Sequence, residues 1–439
     1  MSLTRTPQPR KWLRLAACSL TLAAFPLGWS LLPTLPSQAI APVKGIHSDF
    51  STPEASEPLA LTSPQMARLQ SLLPELETAV ILAPQVYGDR LELSLTTNDG
   101  APQRYTIPVG EAELRQPILD FRQALTNPRT DPQPAAQQLY QWLIEPIQAE
   151  LAAVGAETIL YVPDGILHYV PLAALHTGDQ WLAERYAVNT FTDAAMDVAS
   201  RSDRQPPRIL AAAHTAGQFE IALGDERPLQ LQGFPFAKDE VEAIAARFPN
   251  TTVLLDEAFS PEALLPELEN HTVVHLAANT WVFPDRPEES FLLFGNGDRR
   301  SFRDLQQWLL EQVDLLVLSA CETGVRDTLD DGQAVITFSN LMHDAGAAAV
   351  VAPLWQVDDF GTKVLMEAFY AAITEGTSYA AALNQAQRSL IATQASPATR
   401  QLKATISVEE GGETAPSTRQ GDLSHPYYWA PFVLTGSGF

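Results

Sequence analysis

The 439 residues suffice for two or three domains, and 46% hydrophobic against 18% charged residues excludes a chain disordered throughout. Only 28 Lys and Arg face 52 Asp and Glu, a formal charge of −24, and such a surface repels phosphate backbones, which argues against nucleic acid as a partner. A basic protein or peptide is the electrostatically easier partner, although solubility alone explains acidity equally well.

Residues 1–41 hold Arg5, Arg10, Lys11 and Arg14 and no acid, followed by an apolar stretch from Leu15 to Leu35 that ends in small residues. This order reads as an export signal, with Ala39 or Ala41 as the cleavage site. The stretch is long for a signal core and is interrupted by Pro26, Pro33 and Pro36, so a retained membrane anchor is the alternative. Either reading expects a periplasmic, extracellular or membrane-anchored protein. The only cysteines are Cys18 and Cys321, so removal of the signal leaves one thiol and no intramolecular disulfide.

A Pro-rich linker is expected from 42 to about 65, running into a short helix over Met66–Leu76 and so occupying 42–77. From Thr78 alternating apolar and polar residues predict strands, with Asn98-Asp99-Gly100 as hairpin punctuation. Helices are expected over Ala112–Leu125 and Ala135–Val154, then a strand in ETILYVPDG. From Arg208 the runs ILAAA, TTVLL, TVVHLAA, DLLVLSA and AAAVVAP alternate with helical patterns over Ala237–Phe248, Pro261–Glu269, Phe302–Gln312 and Gln333–Ala345. Nearly continuous apolar strands separated by helices predict a parallel sheet covered on both faces, with ligands at the carboxyl ends of its strands. The polar stretch Ala404–Ser424 is expected to be a surface loop. The division that follows is a strand and helix region over 78–205 and an α/β domain over 206–439.

Four motifs stand in order: DLLVLSACETG ending at Gly324, Gly332, VVAPLWQVDD over Val350–Asp359, and HPYYWAPFVLTG over His425–Gly436. Upstream, YVPDGILHYVPLAAL and LAERYAV precede them. Together these resemble the CHAT family of caspase-like domains, related in fold to caspases and separases, over roughly residues 135–437. The resemblance implies an α/β fold, a caspase-like three-layer α/β/α sandwich with a mostly parallel sheet, preceded by a smaller β-hairpin and helical (pseudo-caspase-like) region. It also implies a separase-type cysteine peptidase mechanism, in which a histidine at one strand end assists a cysteine at the end of its neighbour.

Cys321 matches the nucleophile. The family pattern H-x-A-T-H-G is matched by His275-Leu276-Ala277-Ala278-Asn279-Thr280, so Asn279 stands at the position of the catalytic histidine. Thr280 stands at the position of the glycine whose N–H serves the oxyanion. A carboxamide has no proton-accepting pKa near neutrality and is no general base. His275 lies about 13 Å away at about 3.3 Å per strand residue, and reads as a core histidine. His168, His343 and His425 read as structural. Asp358 and Asp359 either bind a basic residue of a substrate, as acids near this position do in related peptidases, or cap the following helix. No cofactor or metal is expected. The reading is a pseudopeptidase that binds a protein or peptide. Its rivals are an active cysteine endopeptidase with a non-standard base and a structural interaction module of the cell envelope.

Overall fold

The computed structural model describes residues 63–439 apart from 77, 99–100, 199–205, 223–227, 284–288, 321–329 and 396–421. The expected signal or anchor, the linker as far as 62, Cys18, Cys321 and most of the 404–424 stretch lie outside the described residues.

The expected short helix is α1 (Ser63–Leu72), and the hairpin region is β1 (Ala79–Val86), β2 (Leu91–Thr96) and β3 (Gln103–Ile107). In β2 residues 91, 93 and 95 are buried while 92 and 94 are half-exposed, the alternation of a strand with one covered face. Next come α2 (Glu111–Leu125), α3 (Gln133–Leu143), α4 (Gln148–Ala153), β4 (Thr158–Tyr161), β5 (Ala187–Thr190) and α5 (Asp193–Val198). The single helix expected over 135–154 is therefore two. Pro146 has no N–H to continue the ladder, and a 3-10 turn over Glu145–Ile147 separates the pieces.

The second half contributes β6 (Ile209–Ala213), the hairpin β7 (Gln218–Ile221) and β8 (Leu229–Gln232), α6 (Pro235–Arg247), β9 (Thr252–Leu255), α7 (Pro261–Leu264) and β10 (Val273–Ala277). A three-stranded insert, β11 (Thr280–Trp281), β12 (Phe291–Leu293) and β13 (Arg299–Ser301), leads to α8 (Phe302–Leu305) and β14 (Leu315–Leu318). The chain closes with α9 (Asp330–Asp344), β15 (Ala349–Pro353), α10 (Asp359–Thr374), α11 (Tyr379–Ile391) and β16 (Phe432–Gly436). The helix expected as far as Gln312 stops after one turn at Leu305. Its continuation makes i−3 bonds from Gln307 and Trp308, and the Leu310 N–H is taken instead by the Ala345 carbonyl at 3.0 Å.

Eleven strands form one sheet in the order β3-β2-β1-β4-β5-β16-β15-β14-β10-β6-β9. Pairing is parallel except at β1–β2, β2–β3 and β15–β16. Because β16 is antiparallel to β15 yet parallel to β5, β1, β4, β5 and β16 run opposite to β15, β14, β10, β6 and β9. The hairpin region and the later α/β region thus share one sheet.

Helices cover both faces, as continuous apolar strands require: every residue of β6, β10, β14 and β15 is buried. Along β1, Val80 and Leu82 enter the large core with residues of α2 and α3, while Ala79, Ile81 and Ala83 enter a smaller one with Leu69, Ala195 and Met196. Truncating a wholly buried leucine such as Leu276 or Leu316 to alanine should cost about 2–5 kcal/mol. A third cluster joins Ile221 and Leu231 of the β7–β8 hairpin to Phe291 and Leu293 of the insert, away from the main core.

Candidate functional site

β10 and β14 are parallel neighbours, with His275 opposite Val317 and Leu276 opposite Leu318. The ladder runs on through Ser319, whose N–H donates to the Leu276 carbonyl at 2.9 Å. The strand leading to Cys321 and the strand leading to Asn279 therefore leave the sheet at the same edge, as the sequence predicts. Cys321 itself lies outside the described residues. Ser319 and Ala320, immediately before it, are buried.

His275 is in mid-strand and wholly buried. Its Nδ1 is 3.1 Å from the Tyr370 hydroxyl, and its Nε2 is 3.3 Å from Ser319 Oγ. The same Nε2 makes a 2.7 Å charge contact with Glu240 Oε1, which is not aligned as a hydrogen bond. Burial first, and then the Glu240 charge, push the Tyr370 hydroxyl far up, so it stays protonated beside the ring. His275 is thereby tied to α6, α10 and β14 at once, the core role expected of it.

Asn279 follows β10 and is also wholly buried. Its Nδ2 donates to the Gln232 carbonyl at 3.0 Å and lies 3.4 Å from Nδ1 of His214. Among the described residues its Oδ1 has no hydrogen-bond partner. Thr280 is buried in β11, opposite Leu292. Among non-glycine described residues only Asp256 has positive φ, so Thr280 does not adopt the backbone that glycine alone favours.

Asp358 is the N-cap of α10, accepting from the Gly361 N–H at 2.7 Å. Asp359 instead accepts from the Phe236 N–H at 2.9 Å, in the first turn of α6, and so ties the starts of two helices together. Burial raises its carboxyl to about 6, against the Phe236 bond, with Glu240, Asp358 and Asp239 adding to the rise. Asp359 and Glu240 line a narrow notch with Ala277, Ser319, Ala320 and Thr362, at the end of β10 and β14.

The remaining histidines named from sequence have local partners. His343 Nδ1 meets the Ala347 carbonyl and Nε2 the Thr435 hydroxyl, both at 2.9 Å, and burial lowers its pKa to about 4. His168 Nδ1 faces the Gly165 carbonyl at 3.0 Å. His425 Nε2 faces the Thr130 carbonyl at 2.8 Å, while Nδ1 accepts from the Tyr427 N–H at 3.0 Å.

The residue missed from sequence is His214. It follows ILAAA at the carboxyl end of β6, and the rule that singled out Asn279, a polar residue ending an apolar strand at this edge, applies to it equally. Its ring is wholly buried, Nε2 has no hydrogen-bond partner among the described residues, and burial lowers its pKa while the Ala216 backbone and the Asp256 charge oppose that.

The CHAT domain family model matches residues 133–437. The chain belongs to the CHAT domain family. Within it, the chain is similar to tetratricopeptide repeat protein 28 of Homo sapiens, 24% identical over 357 residues. That alignment covers 69% of this chain and 13% of the human protein, so this CHAT chain spans a small part of its relative's length. Among solved structures, the Arg specific cysteine proteinase gingipain R is 10% identical with a TM-score of 0.41, over 75% of this chain and 74% of that one. The Saccharomyces cerevisiae separase–securin complex is 9% identical with a TM-score of 0.46, over 85% of this chain and 31% of that one.

Proposed function

We propose that this CHAT-domain protein is a pseudopeptidase, which holds a protein or peptide at the carboxyl edge of β10, β14 and β15 and returns it uncut. The observation that carries this is Asn279: the side chain at the position of the family's histidine is a buried carboxamide whose nitrogen already donates to the Gln232 carbonyl. Such a group neither takes the proton of a thiol nor returns one to a leaving amine. An unassisted thiol with a pKa near 8.5 is only a few per cent thiolate at neutral pH, so Cys321 alone is a weak nucleophile.

A basic ligand is the better electrostatic match, given the formal charge of −24 and the carboxylates of Asp359 and Glu240 lining the notch beside Ser319 and Ala320. With the export reading of residues 1–41, that ligand would be met outside the cytoplasm; N-terminal sequencing after fractionation should find a chain beginning near Ile40 or Pro42. An intact Met1 terminus in a soluble cytoplasmic fraction would refute export.

The test is fluorescence anisotropy with fluorescein-labelled hexapeptide pools carrying either a central arginine or a central glutamate, with product analysis of the same mixtures. The arginine pool should bind and be recovered intact. Asn279→His should then give cleavage about 100- to 10,000-fold above the unsubstituted protein, the usual worth of a general base, and Cys321→Ala should abolish it. Cys321-dependent cleavage by the unsubstituted protein would overturn the proposal.

A further inference from the structure

The side-chain amide of Asn279 has two N–H donors and one carbonyl acceptor, and their partners are unequally shared. One N–H goes to the Gln232 carbonyl at 3.0 Å, which fixes which end of the amide is nitrogen. The same nitrogen lies 3.4 Å from His214 Nδ1, so the second N–H has a ring lone pair to meet when His214 is neutral with its proton on Nε2. Only Oδ1 is left over, buried and without a hydrogen-bond partner among the described residues.

The backbone around His214 is held from several sides. Its N–H donates to the Ala277 carbonyl at 3.0 Å, and its carbonyl accepts from Phe234 at 2.9 Å. The next two residues are clamped by Asp256, whose Oδ1 accepts from the N–H groups of Thr215 at 2.6 Å and Ala216 at 3.0 Å, and whose Oδ2 accepts from Thr215 Oγ1 at 2.8 Å. Asp256 makes these bonds from φ +48, a left-handed backbone uncommon outside glycine. A side chain at Gly233 or Gly295 would collide with the backbone of Ala216 or Asp256 respectively. Strain and close packing of this kind persist where the surroundings over-determine a position, and here they fix the backbone that carries the imidazole facing Asn279.

We infer that His214 is a positioning residue: with the Gln232 carbonyl it locks the Asn279 amide so that Oδ1 is presented as an acceptor for a backbone N–H of the bound peptide. The inference rests on the peptide-binding reading above and adds the chemistry of recognition, namely a hydrogen-bond donor from the ligand at the place where a peptidase keeps its proton acceptor. Asn279 and His214 are both wholly covered in the unliganded chain, so the N–H reaches Oδ1 only with local opening of the strand ends.

The experiment compares the best-bound arginine hexapeptide with its set of single N-methylated counterparts. N-methylation at one position should weaken binding about tenfold, the worth of a strong single hydrogen bond, and Asn279→Ala should weaken binding similarly and erase that position's sensitivity. His214→Phe should behave like Asn279→Ala, and His214→Gln, which keeps an acceptor, should recover most of the affinity. Equal tolerance of every N-methyl group, or sensitivity that survives in Asn279→Ala, overturns the inference while the binding reading stands. No binding of any arginine hexapeptide sinks the binding reading itself, and this inference with it. The unsubstituted protein provides a check that no variant's folding can spoil: nitrogen NMR of His214 should show the neutral tautomer protonated on Nε2, and a proton on Nδ1 would overturn the lock.

Discussion

The polar side chains His275 and Asn279 stand four residues apart at the same end of the molecule, one inside β10 and one just beyond it, yet their surroundings differ in kind. Around His275 both ring nitrogens are matched, by Tyr370 on one side and by Ser319 and Glu240 on the other. Around Asn279 the donors have partners while Oδ1, and Nε2 of the adjoining His214, have none among the described residues. Glu240 Oε1 also lacks an aligned hydrogen bond, but it meets the His275 ring inside the core, whereas the unmatched atoms around Asn279 lie at the carboxyl end of a strand, the edge at which parallel sheets take ligands.

The largest expected effect tests the closed side. His275→Ala should destabilise the fold by about 2–5 kcal/mol in denaturant unfolding, because it opens a cavity at a wholly buried site and leaves the Tyr370 and Ser319 hydroxyls and the Glu240 carboxyl, 1% exposed, without the ring they meet. A loss near 1 kcal/mol would mean that the network is less tightly held than its distances imply.

Acid should distinguish closed histidine sites next. His343 is matched on both nitrogens, and burial lowers its pKa to about 4, below the unfolded value near 6.5. Its contribution is therefore intact above about pH 6.5 and is lost as pH falls toward 4, on the order of 3 kcal/mol in all. Asp359 carries the opposite sign. Its folded pKa of about 6 exceeds the unfolded value near 3.9, so its contribution is full below about pH 4 and is lost as pH rises through 6. Stability profiles of His343→Gln and Asp359→Asn, measured from pH 4 to 8, should each lose one of these slopes.

A smaller effect belongs to Asp358, whose capping bond to Gly361 is 2.7 Å long. Asp358→Ala should cost about 1 kcal/mol through the helix end. If it also weakens binding of the arginine hexapeptides beyond what that loss explains, Asp358 has a ligand contact in addition to its cap.

The smallest effect tests the open side. Asn279→Ala removes two donor contacts and one orphaned acceptor together, so the terms oppose and the change in stability should lie within about 1 kcal/mol. Paired with a loss of peptide affinity, that small change would confirm the contrast with His275. A destabilisation matching that of His275→Ala would erase it.

Much of this was legible without coordinates, because it rests on local chemistry and on period. Unbroken apolar runs such as VVHLA and LLVL have only one comfortable home, a sheet covered on both faces, and helices between them make it parallel. The ordered motifs led to the CHAT family. What sequence left undecided depended on partners far apart in the chain. Whether Asp358 or Asp359 caps α10 was settled by where Gly361 and Phe236 lie, the latter 123 residues away from its acceptor. The truncation of α8 was decided by the Ala345 carbonyl, which competes for an N–H that a local pattern assigns to a helix. His214 escaped notice for the same reason. Adjacent strands place it beside Asn279 across 65 residues of sequence, and no periodicity within either strand encodes that contact. Residue type and spacing determine which elements form and which faces they bury, but hydrogen-bond satisfaction is a property of the assembled whole, so only the tertiary structure decided which buried polar groups are matched and which are left waiting.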